Sequence, residues 1–112
     1  MIVFGLSHKT APIAVRERAA VAANRHDEVL KQIVAIDAVA EAMLLSTCNR
    51  VEVYAVAEAG ADDHKVQEGL RQLLIGLAGP TVASHLRGAS GPEALRHLFR
   101  VASSLDLSLI HI

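Results

Sequence analysis

Residues 2–7, Ile-Val-Phe-Gly-Leu-Ser, form a short apolar run that stops at a polar loop and a Thr10-Ala11-Pro12 break, the pattern of a first buried strand. Residues 13–23 suit a short helix. Asn24 stands where it can cap a second helix, in which Val29, Leu30, Ile33, Val34 and Ile36 supply the apolar stripe. Residues 42–46 are too short for a helix between breaks, whereas residues 50–57 alternate Arg50, Glu52 and Tyr54 against Val51, Val53 and Ala55. Two strands around Thr47-Cys48-Asn49 are expected. From an Asp62 or Asp63 cap, Val66, Leu70, Leu73, Leu74 and Leu77 recur at helical spacing until Gly79-Pro80 ends the helix. His85-Leu86-Arg87 suits a last strand. Ser90-Gly91-Pro92-Glu93 then opens a helix with proline in its first turn, and Leu95, Leu98, Phe99, Ala102 and Leu105 are expected on its buried face.

The order strand, helix, strand, strand, helix, strand, helix predicts an α+β fold: a ferredoxin-like antiparallel sheet covered by helices on one face, with an extra C-terminal helix. At 112 residues and 52% apolar content, one domain can bury a core without staples. That core is aliphatic, with Phe4, Tyr54 and Phe99 as its few large rings and no aromatic platform for stacking bases. A formal net charge of −1 argues against a general phosphate-binding surface, so any nucleic-acid contact must be local and no DNA partner is expected. Charges interrupt every apolar stretch, so no membrane span is expected. One cysteine cannot form an intrachain disulfide, and residues 1–7 are too short for a signal peptide, which implies a reducing, cytoplasmic setting.

Cys48 sits between two strands, where a turn can lift a side chain out of the sheet. Arg50, two residues on, favours the thiolate that attacks carbonyl carbon, and Thr47 and Asn49 add donors able to hold an oxyanion. A small packed hydrophobe is the competing account of a lone cysteine. His97 is expected almost opposite the Leu95, Leu98, Phe99, Ala102 stripe, either as a reactive imidazole approaching the Thr47 to Arg50 loop or as a solvated residue paired with Glu93. Arg96 and Arg100, four apart, suit a solvated face, and His8 and Lys9 stand in a loop able to meet a phosphate or carboxylate. His26, His64 and His85 lack metal-like spacing, so no zinc site is expected. Neither G-x-G-x-x-G nor a P-loop pattern occurs.

Three runs, Gly5-Leu6-Ser7-His8-Lys9-Thr10-Ala11-Pro12, Val15-Arg16-Glu17-Arg18 and Leu45-Ser46-Thr47-Cys48-Asn49-Arg50-Val51-Glu52-Val53-Tyr54, resemble glutamyl-tRNA reductase. A fourth, from Arg96 to Asp106, is similar to the helix that closes that family's catalytic domain. The resemblance covers residues 1–106 and implies a catalytic domain with Cys48 as nucleophile, Thr47, Asn49 and Arg50 binding substrate, and His97 important for activity. It further implies glutamyl-tRNA as substrate, a glutamyl thioester reduced by NADPH to glutamate 1-semialdehyde for tetrapyrrole synthesis, and a homodimeric enzyme. The family pattern continues from Leu-Asp with a substrate-contacting serine and then Gly-Glu-Pro-Gln, whereas residues 107–112 read Leu-Ser-Leu-Ile-His-Ile. An atypical tail is therefore expected at 107–112, with the NADPH-binding and dimerisation domains absent from this chain. A noncatalytic α+β ligand-binding or regulatory module with a structural cysteine is the rival that composition and topology equally allow.

Overall fold

The first strand is an apolar run buried on both sides, and this sets the architecture. In β1 (Ile2–Ser7) every residue is buried, with Ile2, Phe4 and Leu6 in one apolar cluster and Val3 in another. The computed structural model describes the backbone of residues 1–110 and the side chains of residues 1–103. After β1 come α1 (Ile13–Ala19), a 3₁₀ turn at Ala23–Arg25, α2 (His26–Val34), β2 (Val39–Ser46), β3 (Arg50–Ala57) and α3 (Asp63–Ala78). A second 3₁₀ turn at Pro80–His85, β4 (Arg87–Ser90) and α4 (Pro92–Ile110) follow. The strands lie in the order β2-β3-β1-β4 with all neighbours antiparallel, which is the expected ferredoxin-like arrangement.

The larger core lies between the sheet and the helices that follow β1 and β3. Ile2, Phe4, Leu6, Val51, Val53 and Ala55 meet Val29 and Ile33 of α2 and Val66, Leu70 and Leu74 of α3. Asp62 caps α3 by accepting the His64 N–H at 2.9 Å, and Gly79, at φ 96°, releases the chain into Pro80 as its sequence demands. Asn24 makes no cap: it lies inside the 3₁₀ turn, and Asp27 and Glu28 in the first turn of α2 complement the helix dipole instead. The first helix stops at Ala19, four residues early, where Ala20 turns extended. The last strand begins at Arg87, after the His85-Leu86 segment expected to carry it.

The opposite face of the sheet is also covered, contrary to the single helical layer expected. There α4 lies over Val3, Tyr54 and Ala89, burying Ala94 and Val101 and half-burying Leu98. The expected stripe of α4 is displaced by one residue: Leu95 and Phe99 are 43% and 65% exposed and Ala102 is exposed, while the side chain of Leu105 lies outside the described residues. Weighting large apolar side chains selects the 95/98/99/102 stripe. Close approach to the sheet instead selects small Ala94, and it turns His97 inward as well.

Gly5 makes this second face possible where it pairs with Glu52 across β1 and β3. A Cβ at Gly5 would collide with the Val51 carbonyl oxygen and stand 2.8 Å from the Glu52 Cα. Both obstacles are backbone and cannot rotate away. Gly5→Ala is expected to destabilise the fold by about 3 kcal/mol or more, read as the shift in the urea midpoint; an unchanged midpoint would show that β1 and β3 can separate freely.

Candidate active site under the last helix

Alternation along β3 places Arg50, Glu52 and Tyr54 on the face that α4 covers. The Glu52 side chain is only 7% exposed, and its two oxygens are shared among three donors. Oε1 accepts from Arg50 at 3.0 Å and from the Tyr54 hydroxyl at 3.1 Å. Oε2 lies 2.6 Å from His97 Nε2. A carboxylate only accepts, so the Nε2 hydrogen points to Glu52, and Nδ1 is the ring nitrogen with no described partner. The imidazole also stacks on Tyr54, with ring centroids 6.4 Å apart and planes at 27°. This carboxylate–imidazole pairing, which fixes ring orientation and tautomer, is a device also used to set a general acid or base.

Burial pushes the Tyr54 phenol far above its ordinary ionisation range, and the adjacent Glu52 carboxylate pushes it further in the same direction. The hydroxyl therefore remains a donor. His97 is thus not the solvated residue beside Glu93: it lines the same cleft as Arg50, the last residue of the Thr47 to Arg50 segment, and is joined to it through Glu52. Sequence reasoning places Glu52 on a polar strand face and gives it no role. The signal is present in the Arg50, Glu52, Tyr54 alternation, whose meaning reverses once a helix covers that face.

Cys48 is exposed at the tip of the β2–β3 hairpin, so the packed-hydrophobe account does not describe it. The hairpin closes through the Thr47 N–H to the Arg50 carbonyl at 2.8 Å. Thr47 Oγ1 accepts the Asn49 N–H at 3.2 Å, and the Asn49 carbonyl accepts the His8 N–H at 2.7 Å. Arg16 of α1 reaches the same tip, donating from Nε to the Cys48 carbonyl at 3.3 Å and from NH1 to the Ala11 carbonyl at 2.8 Å. It thereby ties the cysteine-bearing turn to the loop after β1. Arg50 directs NH1 to Glu52, with no described hydrogen bond to the Cys48 thiol, which leaves the rest of its donor fork for another acceptor.

A cleft of about 470 Å³ opens between α4 and the loop after β1, lined by Ser7, Lys9, Arg50, Arg96, His97, Phe99, Arg100, Val101 and Ser103. Its walls are cationic, which suits an anionic ligand. Among the described residues no group of His, Cys, Asp and Glu has the spacing of a metal site, and no helix is long and apolar enough to cross a membrane. A dinucleotide does not fit the described residues: the sheet is wholly antiparallel, and no glycine-rich turn joins a strand to a helix N-terminus as a pyrophosphate requires.

The family profile described as "Glutamyl-tRNAGlu reductase, N-terminal domain" matches residues 4–111. The chain belongs to this family. It is 45% identical over 98% of its length to a glutamyl-tRNA reductase of Sorangium cellulosum, and 45% identical over 95% to one of Syntrophus aciditrophicus. It spans 24% and 26% of those two relatives, about a quarter of their length. The solved structure of "Glutamyl-tRNA Reductase from Methanopyrus kandleri" superposes with a TM-score of 0.66 and 32% identity over 94% of this chain and 22% of that one. The shared fold is thus that of the N-terminal domain of these reductases.

Two outcomes follow from the Glu52 cluster. Glu52→Ala strands Arg50 beneath α4 without its counter-charge and is expected to cost about 3–5 kcal/mol in a urea melt, whereas Glu52→Gln, which retains an acceptor, costs less. Above about pH 10 the unfolded chain loses its phenolic proton while folded Tyr54 keeps it. The native state then binds more protons, and stability declines as pH rises further. Tyr54→Phe removes this part of the alkaline decline. Tyr54 is the sole tyrosine, so tyrosinate absorbance reads the same group directly.

Proposed function

We propose that this chain performs the acyl-transfer chemistry of a glutamyl-tRNA reductase. The observation that carries the reading is the exposed Cys48 on a braced hairpin tip, in the strand connection that leads straight into Arg50 and its cationic cleft. The Cys48 thiolate attacks the carbonyl carbon of the glutamyl ester; a carbon–sulfur bond forms, the ester carbon–oxygen bond breaks, and the departing tRNA hydroxyl takes up a proton. The product is a glutamyl thioester. Arg50, held by Glu52 at one nitrogen, presents its remaining donors to a carboxylate of the glutamyl group. Thr47 and Asn49 polarise the carbonyl at the turn. His97, oriented through Nε2, acts on the substrate side of the cleft through Nδ1.

NADPH supplies the hydride that converts such a thioester to glutamate 1-semialdehyde, the precursor from which tetrapyrroles are made. The described residues do not fit that cofactor. The reading carries with it a homodimeric, cytoplasmic whole enzyme.

Incubating the purified chain with glutamyl-tRNA is expected to release tRNA and leave a glutamyl adduct on Cys48, detected by mass spectrometry after acid quench, while added NADPH yields little aldehyde. Cys48→Ser abolishes the adduct. Arg50→Lys and His97→Asn each slow acylation by about 10²-fold or more. Deacylation that continues unchanged in Cys48→Ser would remove the cysteine from the mechanism and favour a noncatalytic binding module. NADPH-dependent aldehyde would show that the chain holds the cofactor after all.

A further inference from the structure

The outer edge of the cleft differs chemically from its floor. Arg50 and His97 are fixed from beneath by Glu52, but Lys9, Arg96 and Arg100 make no ion pair with any described carboxylate. In a chain whose net charge is −1, this gathering of cations at one opening is not a consequence of composition. Between the two arginines of α4 stands Phe99, 65% exposed and lining the same cleft. Arg96 and Arg100 are one helical turn apart, about 6 Å along the axis, so two successive phosphates of one strand can each meet a guanidinium. A bare aromatic ring flanked by arginines is the combination that holds single-stranded nucleic acid, by base stacking and phosphate neutralisation together. It also amends the expectation of a chain without a stacking platform: the sequence pattern assigns Phe99 to the core, and the one-residue displacement of the α4 stripe turns it outward.

We infer that Arg96, Phe99 and Arg100, with Lys9 across the opening, form a clamp for the single-stranded 3′ end of an RNA, Phe99 stacking on a terminal base and the cations meeting its phosphates. This rests on the reading of the chain as acting on glutamyl-tRNA, whose acylated end is such a tail. The clamp fixes the RNA at the rim and leaves the floor to the glutamyl group. Positioning is thereby divided between two anion sites, one exposed and one braced.

The test uses the chain itself and an uncharged fluorescent RNA hairpin, with or without a short single-stranded 3′ tail, followed by anisotropy over a range of salt. The tailed hairpin is expected to bind more tightly than the blunt one. Phe99→Ala weakens tailed binding by roughly tenfold with the salt slope unchanged, and Phe99→Tyr restores it. Arg96→Ala with Arg100→Ala lowers the slope of log K against log salt by about 1.4, roughly 0.7 for each single-strand phosphate that is no longer neutralised. All three side chains are exposed, so the melting curves of these variants should match the parent.

Equal binding of blunt and tailed hairpins, or a Phe99→Ala variant of unchanged affinity, overturns the clamp. So does displacement of the tailed RNA by NADPH alone, which would assign the cations to a nucleotide phosphate. Sedimentation showing that Phe99→Ala abolishes self-association but spares RNA binding would give the ring to a second copy of the chain. Acylation of Cys48 in the parent by a small glutamyl thioester is measured separately. Its failure would count against the acyl-transfer reading and leave the RNA result standing.

Discussion

The buried carboxylate of Glu52 is the interaction around which the second face of this domain is organised. It is a charged group taken out of water, and it is tolerable only because Arg50, Tyr54 and His97 supply donors to both oxygens. These donors come from β3 and from α4, so satisfying the charge and docking the helix are one event. An apolar contact between Ala94 and Tyr54 would hold α4 against the sheet in many rotations. A 2.6 Å bond from His97 to Glu52 selects one. The polar cluster therefore contributes specificity of helix placement in addition to any net stability.

That placement gives the sheet two chemically unlike faces. The face turned to α2 and α3 is an aliphatic core with Ile2, Phe4, Ile33, Val53 and Leu70 almost wholly enclosed. The face beneath α4 carries the polar Arg50, Glu52 and Tyr54, and the cleft is lined by Arg50 but not by Thr47, Cys48 or Asn49 of the hairpin tip. Gly5 reconciles these demands, because its missing side chain lets β1 press against β3 where Glu52 must fit. The sheet presents the hairpin, Arg16 bonds to its tip and α4 covers the polar face, so the thiol side chain stands at a tip braced from α1.

The proposed division of the cleft between a glutamyl group and an RNA tail rests on how its cations are held. Cations backed by a buried carboxylate have a fixed geometry and suit a short, planar acceptor. Cations without such backing keep their rotamer freedom and suit a flexible chain of phosphates. The transition from one to the other runs from Arg50 on the sheet to Arg96 and Arg100 on the helix, where Phe99 is 65% exposed.

The order of elements, the position of the β2–β3 hairpin with Cys48 in its turn, an aspartate cap at Asp62 or Asp63 and the Gly79-Pro80 stop were all legible in sequence, because each depends on neighbours within a few residues; the exposure of Cys48 and the choice of Asp62 were decided by the structure. Period-two alternation assigned Arg50, Glu52 and Tyr54 to a common face for the same reason. What only the tertiary structure decided was whether that face meets water or a helix, since alternation is identical in both cases. The rotation of α4 was likewise undetermined: stripes one residue apart differ by about 100°, and both contain apolar side chains. The close fit of small Ala94 against the sheet and the burial of Glu52 chose between them. They turned His97 inward and Phe99 outward through long-range packing that no local pattern encodes.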